Sequence, residues 1–143
     1  VAGHSLAVSG IPDPVFAKGL VGPGTAIRPR GGRQVAVAPV SGVLTKLHPH
    51  AYLIMSDSGN GVLVHLGIDT VHLQGEGFDL LAQEGGRAEA GDEIVSWDPS
   101  LVEQEGCSSV CAVVVLDCDP ETVTQQALDV DVERGDLLFE VDC

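Results

Sequence analysis

Short apolar runs recur at close spacing along the chain, at Ser5–Val8, Thr25–Arg28, Val35–Ala38, Gly42–Leu47, Ala51–Met55, Val62–Leu66, Glu93–Trp97, Ala112–Leu116 and Asp136–Val141. Turn formers separate them: Gly22-Pro23-Gly24, Pro29-Arg30-Gly31-Gly32, Pro39-Val40-Ser41-Gly42 and Gly91-Asp92. Many short strands punctuated in this way predict an all-β fold, an antiparallel sandwich or barrel. Short helical turns are expected at Pro14–Leu20, Phe78–Gln83 and Pro99–Gln104. Pro99 suits the first helical position behind Asp98 as N-cap. Pro120–Leu128 reads as another such turn or as an edge strand. No linker divides the pattern, so residues 1–143 are expected to form a single domain.

Two of these runs look like the arms of one hairpin. Ser56-Asp57-Ser58-Gly59-Asn60-Gly61 is dense in turn formers and both flanks are apolar, with His50 at the start of one arm and His65 at the end of the other. A turn centred on Asp57-Ser58 sets His50 opposite His65. A turn centred on Ser58-Gly59 sets Tyr52 there, with His50 diagonal. Either way the imidazoles share a face, about 5–8 Å apart. An odd-length loop would send them to opposite faces. Two imidazoles at that separation can share a metal or a phosphoryl group.

Composition narrows the picture. Aromatic residues are only 3% of the chain against 44% hydrophobic, so Val, Leu, Ile and Ala must build the core. Eighteen glycines and eight prolines argue against a helical bundle. The net charge of -14 argues against a nucleic-acid surface and suits a protein partner with a basic patch. Nine acids and one arginine among the last 27 residues read as a solvated face. No apolar run approaches the ~20 residues of a membrane span. The cysteines, Cys107, Cys111, Cys118 and Cys143, have neither zinc-knuckle spacing nor the look of a disulfide framework. They are expected to be reduced thiols of a cytoplasmic protein.

The block Leu63-Val64-His65-Leu66-Gly67-Ile68-Asp69-Thr70-Val71, followed by Gly75-Glu76-Gly77-Phe78, resembles the glucose-type IIA domain of the bacterial phosphoenolpyruvate:sugar phosphotransferase system. Ile11-Pro12-Asp13-Pro14-Val15-Phe16-Ala17, Val21-Gly22-Pro23-Gly24-Thr25-Ala26-Ile27 and Ala38-Pro39-Val40-Ser41-Gly42 match further segments of that family. The resemblance runs from about Gly3 to about Phe139 and is weakest after Gly106. The wording Lys46-Leu47-His48-Pro49-His50 resembles the high-GC Gram-positive branch. Enteric members differ there, with a threonine roughly where His48 stands.

The resemblance implies a β-sandwich of the duplicated hybrid motif type and a cytoplasmic phosphocarrier. His65 matches the phospho-accepting histidine and His50 the histidine that supports the phosphoryl group. Asp13 and Asp69 match acids that meet an arginine of the donor protein HPr, and Val15, Phe16, Leu63 and Val71 match an apolar surface around the active ring. The carbonyl of Gly67 is implied as the acceptor that sets the His65 tautomer. The implied partners are phospho-HPr as donor and the IIB domain of a sugar permease as acceptor. Regulated permeases or metabolic enzymes are further candidates, and no nucleic acid is among them. Contact with the membrane is expected only through a permease.

This role suits the chemistry of imidazole. A neutral ring nitrogen can accept a phosphoryl group, and a reference pKa near ~6.5 leaves much of the population neutral. His50 can donate an N–H to a phosphoryl oxygen, and the amides of Gly67-Ile68-Asp69 can act as a nest. No metal or nucleotide is required, although zinc at His50 and His65 is conceivable. The competing reading is a zinc-dependent hydrolase built on His48-x-His50 and His65-x-x-x-Asp69. The order of those motifs is the reverse of the usual one in zinc peptidases of similar architecture, and no convincing general base is evident. A third reading, a regulatory binding module, adds to carrier activity rather than replacing it.

Overall fold

The structure, a computed structural model, describes residues 1–13, 22–116, 123–124, 128, 130–133 and 138–141. The strands are β1 (Gly3–Ala7), β2 (Gly24–Pro29), β3 (Gln34–Val37), β4 (Gly42–His48), β5 (Ala51–Ser56), β6 (Gly61–His65), β7 (Phe78–Leu80), β8 (Arg87–Ala88), β9 (Glu93–Trp97), β10 (Cys111–Val115), β11 (Val123–Thr124), β12 (Asp131–Val132) and β13 (Glu140–Val141), and among the described residues there is one α-helix, α1 (Pro99–Gln104). An eight-stranded sheet runs in the order β12-β1-β2-β10-β6-β5-β4-β8, a three-stranded sheet in the order β3-β9-β7, and β11 pairs with β13. Every pairing is antiparallel. Among the described residues, no helix is long and apolar enough to cross a membrane.

The core lies between the large and the three-stranded sheet. Alternation along β5 and β6 sends Tyr52, Ile54, Val62 and Val64 to one face, where they meet Leu44 and Val113 and, from the small sheet, Val95 and Trp97. Most are branched aliphatics, as the scarcity of aromatic residues requires, the exceptions being Tyr52 and the pair Trp97 and Phe78, stacked at 5.8 Å and 9°. The outer face of the large sheet carries a second apolar cluster of Ala26, Ala112 and Val114 with Ile11, Ile68 and Val110. Ile68 ties the segment after β6 into that cluster.

Several expectations are met residue for residue. α1 spans Pro99–Gln104, Pro99 opens it, and the Asp98 carboxylate accepts the Ser100 N–H at 2.9 Å. The segment expected to be a helical turn at Phe78–Gln83 is instead β7, because Phe78, Asp79 and Leu80 pair with Trp97, Ser96 and Val95 and complete the small sheet. Val8 leaves β1 and begins a 3-10 turn. β11 falls within Pro120–Leu128, the edge-strand alternative there. Pro14–Leu20 lies outside the described residues. Of the last expected strand, Glu140 and Val141 pair as strand, and Asp136 and Leu137 lie outside the described residues.

The hairpin register differs from both alternatives considered. Met55 pairs with Gly61 and Ala51 with His65. The loop between the arms is Asp57-Ser58-Gly59, closed by Gly59 N–H to Ser56 O at 2.9 Å and Ser56 N–H to Asn60 O at 2.8 Å, with Gly59 at φ +92°. A turn followed by a positive-φ glycine is a common three-residue connection, so the loop is odd in length.

Ile54 is fully buried at the centre of the core. Ile54→Ala is expected to lower unfolding free energy by about 3 kcal/mol, read from urea denaturation.

Candidate functional site

An odd-length loop puts residues 50 and 65 in opposite phase, yet the rings meet, with centroids 5.4 Å apart and planes at 68°. The reason is that His50 is not a strand residue. Pro49 and His50 form the turn between β4 and β5, and strand alternation does not govern the direction of a turn side chain. The backbone of His50 still pairs, its carbonyl accepting the Leu66 N–H at 2.7 Å. Ala51 and Ala112 flank His65 on the two neighbouring strands. These small side chains leave the space above the sheet to the imidazoles, an aspect of the site that the positions of the histidines alone did not reveal.

His65 is half-buried at the end of β6, and its Nδ1 lies 2.6 Å from the Gly67 carbonyl. A carbonyl only accepts, so Nδ1 carries the proton and the lone pair of the neutral ring is on Nε2. Burial pushes the His65 pKa below the ordinary histidine value. The Gly67 bond and the charges of Asp13 and Asp69 oppose that shift without reversing it. The His50 pKa is lowered as well, by burial first and then by His65 and His48. Both rings are therefore held neutral near pH 7, the state a nucleophilic nitrogen needs.

The loop after β6 is built to hold that carbonyl. Gly67 has φ +77°, and a Cβ there would lie 2.6 Å from Thr70 Cγ2 and 2.8 Å from Ser108 O. Ile68 N–H donates to Ser108 O at 2.9 Å, and the buried Thr70 hydroxyl donates to Leu66 O at 2.7 Å. Ser108 and Thr70 are thus supporting residues that the sequence reading passed over. Thr70 stood inside the signature block, whereas nothing marked Ser108. Of the three amides offered as a nest, Ile68 N–H is spent on Ser108 and Gly67 N–H faces the Cys111 thiol. The third of these amides is that of Asp69.

Asp69 is exposed in a left-handed conformation, φ 62°, and its side chain does not cap the 3-10 turn at Thr70–Leu73 that it precedes. Asp13 is half-exposed and close enough to His65 to favour its protonated form. Leu63 shares the outer face with His65, opposite Leu53, and Val71 is 56% exposed beyond the loop. Val15 and Phe16 lie outside the described residues. Cys107 and Cys111 are free, and burial pushes the Cys111 thiol up to about 12, so it is inert. Cys118 and Cys143 lie outside the described residues.

His48 stacks on His50 with centroids 5.8 Å apart. Among the described residues, no three His, Cys, Asp or Glu side chains are grouped so as to hold a metal ion, so His48, His50, His65 and Asp69 do not assemble the hydrolase centre. Two imidazoles and a backbone-fixed tautomer are what remains, an arrangement suited to carrying a group on Nε2.

The family described as phosphoenolpyruvate-dependent sugar phosphotransferase system, EIIA 1, matches residues 1–120. The chain belongs to this EIIA family. It is 39% identical over 121 residues to the glucose-specific EIIA component of Haemophilus influenzae, covering 83% of this chain and 72% of that protein. It is 38% identical over 113 residues to the glucose-specific EIIBCA component of Corynebacterium glutamicum, covering 79% of this chain but only 17% of that longer polypeptide. The Corynebacterium match fits the high-GC branch. The structure superimposes on the glucose permease IIA from Mycoplasma capricolum with a TM-score of 0.83 at 29% identity, covering 96% of this chain and 89% of the other. This EIIA chain is thus an all-β component of sugar phosphotransfer.

Two outcomes test the site. Gly67→Ala is expected to cost about 2 kcal/mol or more, because a positive φ and a close approach are both violated. It should also shift the His65 ring nitrogens in 15N NMR. The pH dependence follows from the lowered histidine pKa values. Between the folded values and the unfolded reference of about 6.5, the unfolded chain binds more protons. The stability gained from neutral rings is therefore complete above the unfolded value and is lost as pH falls through the folded ones. Urea denaturation at pH 7 and pH 5 should show that loss, and His65→Gln should reduce it.

Proposed function

We propose that this EIIA chain carries a phosphoryl group on His65 Nε2, taking it from phospho-HPr and giving it to a IIB domain during sugar uptake. The observation that carries the reading is the short bond from His65 Nδ1 to the Gly67 carbonyl. It leaves one nitrogen with a lone pair, on a ring kept neutral by burial. In the first step that lone pair attacks phosphorus. The N–P bond of the donor histidine breaks and its electron pair returns to the donor ring. The proton on His65 Nδ1 stays there throughout, donated to the Gly67 carbonyl. In the second step a IIB thiolate attacks the same phosphorus and His65 Nε2 leaves with its lone pair.

His50 donates an N–H to a phosphoryl oxygen and so balances charge in both steps. Asp13 and Asp69 place negative charge beside the ring, where a donor arginine meets them as the proteins dock. Leu63 and Val71 supply apolar surface that excludes water and limits hydrolysis, and the family resemblance assigns Val15 and Phe16 to the same surface. Neither step uses a metal, and the two histidines would hold zinc only with a third ligand from a partner. The reading places the protein in the cytoplasm, touching the membrane only through a permease. Regulated permeases or metabolic enzymes that prefer one phosphorylation state are further partners, because a doubly charged group beside an apolar rim weakens docking selected for the neutral ring.

The deciding experiment supplies phosphoenolpyruvate, Enzyme I and HPr and follows intact mass. Wild type should gain one acid-labile phosphoryl group and His65→Ala none. Absence of any gain on wild type with competent HPr would overturn the reading. His50→Gln should still accept the group but pass it to a IIB domain at least about tenfold more slowly. Onward transfer at the wild-type rate would remove His50 from the mechanism.

A further inference from the structure

His48 has no part in the transfer reading, yet its ring joins the same cluster, and the backbone is bent to put it there. Counting alternately from the buried Leu44 sends Lys46 and His48 to the core side of β4. The strand, however, carries one extra residue. Leu44 pairs with Ile54 and Lys46 with Leu53, so Thr45 is unmatched, and its hydroxyl donates to the Leu53 carbonyl at 3.2 Å. This β-bulge inverts the alternation that follows it. Leu47 pairs with the buried Tyr52, and His48 pairs with Ala51 on the outer face.

Ala51 therefore stands between His48 on one neighbouring strand and His65 on the other. The two-residue turn Pro49-His50 brings the His50 ring into the same row. Proline fixes one of its torsions, and Gly75 backs it so closely that a Cβ there would lie 3.3 Å from Pro49 Cγ. The His50 ring stacks on His48 at 21° and meets His65 at 68°. The χ2 torsion of a histidine is broad, so an imidazole in a turn needs a flat neighbour to keep its edge aimed. The exposed His48 ring is that neighbour.

We infer that His48 is a positioning residue whose stacked ring holds the His50 imidazole at the angle from which its N–H serves the phosphoryl group on His65. The inference rests on the phosphocarrier reading for its consequence, but the ring placement stands on its own. His48 is exposed at the end of β4, so its replacement leaves the core untouched, and thermal unfolding verifies the fold of each variant.

Two measurements test the role. In the unmodified protein, nuclear Overhauser contacts between the His50 and His65 rings should weaken in His48→Ala and return in His48→Phe, which restores a flat ring without ring nitrogens. In the reconstituted system, the ratio of onward transfer to acceptance should fall about tenfold in His48→Ala and recover in His48→Phe, the scale of a modest misalignment of a reacting group. If either readout is unchanged in His48→Ala, or if phenylalanine fails to restore both, the inference is overturned. A wild type that accepts no phosphoryl group would instead count against the carrier reading, and the ring contacts would still decide the place of His48.

Discussion

The proposed chemistry of this fold depends on one hydrogen bond, from His65 Nδ1 to the carbonyl two residues onward. An imidazole has two nearly equivalent nitrogens, and a carrier must offer a chosen one. A carbonyl makes that choice without adding charge, because it can only accept. A carboxylate in its place would also fix the tautomer, but would draw the ring toward the charged form. The rest of the loop serves this bond. Gly67 takes a conformation that other residues avoid, Ile68 is clamped both by a backbone bond and by an apolar cluster, and Thr70 ties the loop to Leu66.

The electrostatics of the site run against those of the molecule. The chain is strongly acidic, and Asp13 and Asp69 bring part of that charge to the ring. Their field alone would favour the protonated imidazole. Burial outweighs it, because desolvating a charged ring costs more than two partly exposed carboxylates return through solvent. The neutral state thus comes from packing, and anything that covered the site further would favour it more.

Much of this was legible in the sequence. Alternation and turn formers located the main strands, and the Asp98-Pro99 pair located the helix to the residue. The resemblance around His65 pointed to the Gly67 carbonyl, and the structure has His65 Nδ1 bonded to it. Other features depended on pairings that local patterns do not carry. Phe78–Leu80 has no distinctive period of its own and becomes a strand because Trp97 offers it an edge. The hairpin loop was expected to be even in length, and one residue decides the face of everything beyond it. His50 escaped that consequence only by standing in a turn. Ser108 supports the site through its backbone carbonyl, which any residue would provide, so its identity carried no signal.

The bulge at Thr45 makes the layout of the site a matter of phase as well as identity. Between Leu44 and Ala51 the number of residues, rather than their chemistry, decides which side chains share the face with His65. A single deletion in that interval would dismantle the row of rings while leaving all three histidines in place, and no substitution could restore it. Comparisons that score such segments by matched residue types alone would count the site as intact. The length of the interval is itself part of what places these rings.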